Sequence, residues 1–172
     1  MSKIKIFLML SGYQVTWLMC VFGELWYSSF IPGLVCGLLF LAICFVNSDN
    51  KKKTFQIVFF ISLLGYLFDT SLVFFEIYKF QTSLYIGVLP IWMLVLWPSF
   101  AILFDEILIF LSKFRITAVI FSSILGPLTY FAGSPLGLIN INNLFVFFIL
   151  MIIFWAILMI FYLNYIVKLR FN

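Results

Sequence analysis

The sequence predicts an all-α membrane protein, a polytopic bundle of about six transmembrane helices with both termini in the cytoplasm. Three observations carry this. Hydrophobic residues make up 66% of the chain and charged ones only 9%, against roughly 45–50% and about 25% in soluble domains. Apolar runs about as long as a bilayer is thick recur through the 172 residues and leave no room for a separate soluble domain. Nine of the ten Lys and Arg residues fall in the flanks and loops assigned to one side, and this sets orientation by the positive-inside rule. The chain reads as a single integral membrane domain, 1–172, with spans at about 7–22, 32–46, 55–76, 89–111, 116–131 and 144–167.

Span one follows Lys3 and Lys5, outlasts a cleavable signal core and lacks a small-residue cleavage site, so it is expected to be retained. It carries Gln14 and Thr16, and Glu24, Trp26 and Tyr27 mark its far end in an aromatic belt. Span two opens at Pro32, in a first turn that tolerates proline. Its Gly33 and Gly37 form a GxxxG step for close helix approach. The polar loop Asn47–Lys53 holds the densest run of lysines. Span three, FQIVFFISLLGYLFDTSLVFFE, carries Asp69 well inside its apolar run.

A connection over 77–88 follows, weakly amphipathic and suited to the membrane interface. Span four is interrupted by Pro98, which should kink it. Near its end stand Asp105 and Glu106, with no cation at helical i,i+4 spacing. Span five carries Ser122 and Gly126 four residues apart, a small-residue face for packing. The segment 134–143 is uncharged and rich in turn formers, and span six is featureless apolar sequence up to Asn164. With the N-terminus inside, Lys79 alone falls on the outer side.

The same charge pattern argues against nucleic acid as a partner, because no basic face with interleaved aromatics lies outside the spans. Membrane lipids and a membrane-protein partner are expected instead. The net charge of +4 then reflects topology and anionic headgroups. Cys20, Cys36 and Cys44 lie within spans without CxxC spacing and read as small packing residues. Histidine does not occur, which removes the usual metal ligand and general base. Neither a metal nor a cofactor is expected, and the motifs H-E-x-x-H, G-x-S-x-G and the glycine-rich phosphate loops are missing.

The candidate polar core consists of Asp69, Thr70, Gln14, Tyr130, Asp105 and Glu106. A carboxyl at membrane depth costs several kcal/mol, about 2.5–3.5 on insertion scales, and therefore faces protein interior or water. Asp69 is a proton or cation site, an intramembrane acid, or a hydrogen-bonded tie to Thr70, Gln14, Thr16 or Tyr130. Seven residues apart, Asp69 and Glu76 are expected to share a helical face, with Glu76 at the outer surface beside Glu24. Asp105 and Glu106 fall in the inner half, or at its headgroup boundary. Trp92 and Trp97 read as lipid-belt or core residues.

Asp69, Pro90-x-Trp92, Trp97, Gly126-Pro127-x-x-Tyr130 and Gly133, with six spans in this length, resemble a family of uncharacterised bacterial inner-membrane proteins, a domain of unknown function. The resemblance covers nearly the whole chain. It implies a multi-pass protein of the bacterial inner membrane and a setting near membrane-lipid metabolism, with no activity attached. Where that family has a polar pair resembling Asn-His, this chain has Asp105-Glu106, so no family role passes to the pair.

Three function classes follow. The foremost is an accessory or scaffold protein in membrane-lipid or envelope metabolism. The others are a carboxylate-dependent transporter of protons, cations or a small solute, and an intramembrane lipid-modifying enzyme working through carboxylates.

Overall fold

The computed structural model describes the backbone of residues 3–106 and 108–166, and the side chains of 4–104 and 111–164. The described residues are mostly helical (75%) and form six α-helices. These are α1 (Lys3–Tyr27), α2 (Ile31–Val46), α3 (Lys51–Phe74), α4 (Met93–Glu106), α5 (Arg115–Phe131) and α6 (Leu144–Phe161). A 3-10 segment, Leu108–Lys113, follows α4, and α6 ends in a π-helical turn, Tyr162–Ile166. Among the described residues three helical stretches, Ile4–Tyr27, Lys51–Phe74 and Leu144–Asn164, are long and apolar enough to cross a membrane. The helices at Ile31–Val46, Met93–Phe104 and Arg115–Phe131 are apolar but shorter.

Short strands join the helices in two connections. The segment 77–88, expected as a weakly amphipathic connection, is largely exposed and carries strand structure. It holds strand β1 (Tyr78–Phe80) and, with the residues after it, a hairpin of β2 (Tyr85–Ile86) and β3 (Leu89–Pro90). The turn-rich 134–143 holds β4 (Ile139–Ile141), which pairs antiparallel with β1 in the register Tyr78↔Ile141, Lys79↔Asn140, Phe80↔Ile139. The span boundaries shift to match. The fourth helix starts at Met93 rather than near residue 89, and the third ends at Phe74 rather than 76.

The chain forms two compact units. The first takes the described residues of Met1–Leu67 and Thr82–Ile107, the second those of Phe68–Gln81 and Leu108–Asn172. In the first unit α1, α2 and α4 pack together, and glycine sets the spacing. A Cβ at Gly33 would lie 2.6 Å from the Cys20 Cα of α1, and one at Gly37 would lie 2.5 Å from Val95 of α4. The GxxxG step therefore serves two neighbours, one residue each. Pro98 removes an N–H from α4, and the carbonyl it would have capped, that of Leu94, accepts the Tyr66 hydroxyl at 3.0 Å. Trp92 and Trp97 are both buried, so both belong to the core.

In the second unit α5 packs on α6. Gly126 lies under the Trp155 ring, and the Ser122 hydroxyl donates to the Trp155 carbonyl at 3.3 Å. That is the small-residue face anticipated from Ser122 and Gly126. Met151, Trp155, Leu158 and Met159 make the buried stripe of α6. At its foot the Arg115 guanidinium donates to the Asn164 side chain.

The end of α3 brings the chain back on itself. The Glu76 N–H donates to the Val73 carbonyl and the Ile77 N–H to the Leu72 carbonyl, the paired bonds of a Schellman cap. The cap requires a left-handed residue, and Glu76 supplies it at φ 56°. Glu76 is thus off the helix, exposed and ion-paired to Lys79 at 2.9 Å, and does not share a face with Asp69. Because the cap tolerates glycine freely and β-branching poorly, Glu76→Gly is expected to stay within about 0.5 kcal/mol of wild type. Glu76→Val should cost about 1–2 kcal/mol. Unfolding in mild detergent measures both, and equal stability of the two variants would refute the assignment.

Candidate functional site

The site lies in the second unit, where α3, β1 and α5 converge on Asp69. Asp69 sits in the last turns of α3, on the side turned inward, and is completely buried. The Schellman turn reverses the chain and sets β1 beside the helix end, so Tyr78 points back at it. The Tyr78 hydroxyl donates to Oδ1 of Asp69 at 2.7 Å. From the last turn of α5, the Tyr130 hydroxyl reaches Oδ1 at 3.0 Å and Oδ2 at 2.9 Å.

The β1–β4 ladder holds this geometry. Lys79 faces solvent while Tyr78 and Phe80 face inward, the alternation expected of a strand with one covered face. Phe80 and Phe147 both meet the Tyr78 ring edge-on, with centroids 5.2 and 5.9 Å away. The Asn142 amide donates to the Glu76 carbonyl at 2.7 Å and ties the α3 turn to the end of β4.

Burial first, and then the neighbouring Asp69 and Tyr130, hold the Tyr78 hydroxyl well above the usual tyrosine range. Tyr78 therefore remains a donor at any physiological pH. Tyr130 is only half-buried, so the hydroxyl pair runs from an enclosed carboxyl toward the surface of the unit. Such an arrangement can fix three chain segments to one another, or hold a proton that is exchangeable through Tyr130.

A second carboxyl cluster, in the first unit, was not anticipated as a site. Glu24, in the last two turns of α1, is buried rather than marking an outer surface. The Thr82 hydroxyl donates to its Oε1 at 2.6 Å, the Ser83 N–H to Oε2 at 2.9 Å, and the Ser83 hydroxyl to Oε1 at 3.1 Å. The Trp92 indole N–H in turn donates to the Thr82 Oγ1 at 3.3 Å. The two buried acids share a design: each receives hydroxyl donors from the segment over 77–88.

The expected polar core is corrected in its membership. Asp69 and Tyr130 meet as anticipated. Thr70 is exposed, since the next helical position turns away from the buried face, and Gln14 is exposed on α1. Thr16 is buried but donates to the Gly12 carbonyl one turn back, at 3.0 Å. The side chains of Asp105 and Glu106 lie outside the described residues. Tyr78 was missed because it stands beyond the helix in a stretch read as a loop. Its nine-residue distance from Asp69 becomes contact only through the turn at Glu76. Among the described residues no group of three or more Cys, Asp or Glu is placed to hold a metal ion.

No curated protein and no solved structure matches the chain. A family described as "Protein of unknown function (DUF2878)" matches residues 6–161. That span includes both tyrosine partners of Asp69 and both carboxyl clusters, and the chain belongs to this family.

Proposed function

We propose that the protein is a multi-pass protein of the bacterial inner membrane, with six membrane-embedded helices and cytoplasmic termini, that serves as an accessory or scaffold protein in membrane-lipid or envelope metabolism. Three long apolar helices support the membrane reading. So do large apolar side chains left exposed on other helices, such as Ile116 at 78% and Val46 at 68%, since lipid is the solvent that makes such faces stable.

The observation that carries the accessory role is the use made of the buried acids. Asp69 is occupied by two tyrosine hydroxyls, and Glu24 by two hydroxyls and a backbone N–H. Carboxyls engaged in this way brace the connections at the helix ends, and so shape a surface on which a partner can dock. A second reading, a proton-coupled transporter, draws on one feature: Tyr130 links the enclosed Asp69 to a half-exposed position.

Complementation separates the two. In a deletion strain, Asp69→Asn keeps an acceptor for the tyrosines while removing the titratable group. An accessory protein should be rescued by this variant as well as by wild type, with the same lipid profile and the same copurifying partner. Rescue by wild type alone, with the variant stably inserted, would overturn the accessory reading in favour of proton-coupled transport.

A further inference from the structure

The first unit carries a groove of about 560 Å³ between the start of α1 and the end of α2, within the roughly 300–1,000 Å³ of sites that hold small ligands. Its length is apolar, lined by Met9, Phe40 and Ile43, and the Phe40 ring packs directly against Gly12. One end is polar, where Lys5 and Asn47 line it. The Asn47 amide donates to the Ile43 carbonyl at 2.8 Å and closes α2 at that end. A cation at the mouth of an apolar slot matches one kind of molecule, an amphiphile with an anionic head. We propose that this groove binds an anionic phospholipid of the surrounding leaflet, its phosphate at Lys5 and Asn47 and an acyl chain along Met9, Phe40 and Ile43.

A second feature points the same way. The short α2–α3 connection places Lys51, Lys52 and Lys53 on the same end of the unit, in the first turn of α3, which holds no acid. Cations there oppose the helix dipole. A headgroup phosphate offsets that opposition while gaining the lysines as partners. The side chains at the polar end thus suit a phosphate better than a neutral glycolipid head.

The inference rests on the membrane reading, and native mass spectrometry of the detergent-solubilised protein tests it. The probes are dioleoyl phosphatidylglycerol and dioleoyl phosphatidylcholine, whose tails are the same and whose net charges differ. Wild type should retain the phosphatidylglycerol roughly fivefold better, the factor expected from one lysine at an anionic surface. Lys5→Gln should clearly reduce that preference and leave phosphatidylcholine retention unchanged.

Ile43 is exposed on its helix, at 62%, so Ile43→Trp can fill the groove without repacking the core, and retention of both lipids should fall. Circular dichroism confirms that each variant keeps its helix content. Equal retention of the two lipids by wild type would overturn the proposal, as would an undiminished preference in Lys5→Gln or undiminished binding in Ile43→Trp. Carbonate washing of membranes separates the two failures. A protein released by the wash refutes the membrane reading itself, while one that stays membrane-bound and shows no lipid preference refutes only the lipid site.

Discussion

Asp69→Ala is expected to destabilise the protein by about 3 kcal/mol or more. The change deletes the acceptor that two tyrosine hydroxyls share, and of these Tyr78 is fully buried. Each lost hydrogen bond contributes about 0.5–1.5 kcal/mol, and a buried donor left unsatisfied costs about 1–3 kcal/mol. Asp69→Asn retains one carbonyl oxygen and should cost roughly half as much. Tyr78→Phe removes the donor and leaves Asp69 with Tyr130, so its cost should also be smaller than that of Asp69→Ala.

Reversible unfolding in detergent, followed by helix content, gives these values. A double-mutant cycle between positions 69 and 78 should show coupling of about 1 kcal/mol or more. Coupling indistinguishable from zero would mean that the hydroxyl and the carboxyl do not stabilise one another. The pH profile provides a further check. The folded-state pKa of Tyr78 lies above its unfolded value of about 10. Its contribution is therefore fully present below that pH and is lost as pH rises beyond it, while the unfolded chain ionises first.

Gly126→Ala should be nearly as severe, at about 3 kcal/mol, the upper end of the usual cost of overpacking. Its methyl group would lie 2.2 Å from the Trp155 ring, and the α5–α6 contact that it would pry apart holds the largest packed surface of the second unit together. Gly65→Ala should behave alike in the first unit, where the new methyl would lie 2.3 Å from Trp97. Since the cause is steric, the remedy is steric as well: Gly126→Ala combined with Trp155→Phe should recover about half of the loss, despite removing a large core side chain. If the double variant is less stable than either single one, the clash is not what Gly126 prevents.

The sequence disclosed these glycines unevenly. Gly33, Gly37 and Gly126 belong to small-residue steps with helical spacing, and all three are closely approached. Gly65 belongs to no such step, and what fits against it is a tryptophan from α4. Periodicity reports the residues of one helix that lie on one face, and it holds no information about the side chain arriving from another. The same limit applies to the carboxyls. Burial of Asp69 follows from its place in an apolar run, because an acid there has nowhere favourable to go except inward. The partner Tyr130 was among those named, whereas Tyr78 depends on a left-handed glutamate that no pattern rule selects. Glu24 was harder still. Near the end of an apolar run a carboxylate is ordinarily an interfacial residue, and only the folding back of Thr82 and Ser83 encloses it. The short strands escaped for a related reason, since two or three residues cannot display alternation.

The separation between Asp69 and its two tyrosines also orders events in time. Tyr130 lies 61 residues downstream and Tyr78 only 9. With synthesis at roughly 5–20 residues per second, about 3–12 s pass between the emergence of Asp69 and that of Tyr130. For most of that interval Tyr78 is the only one of the pair that has been made. The nearer tyrosine can therefore shield the acid before α5 has been made, and the farther one seals it once α5 packs.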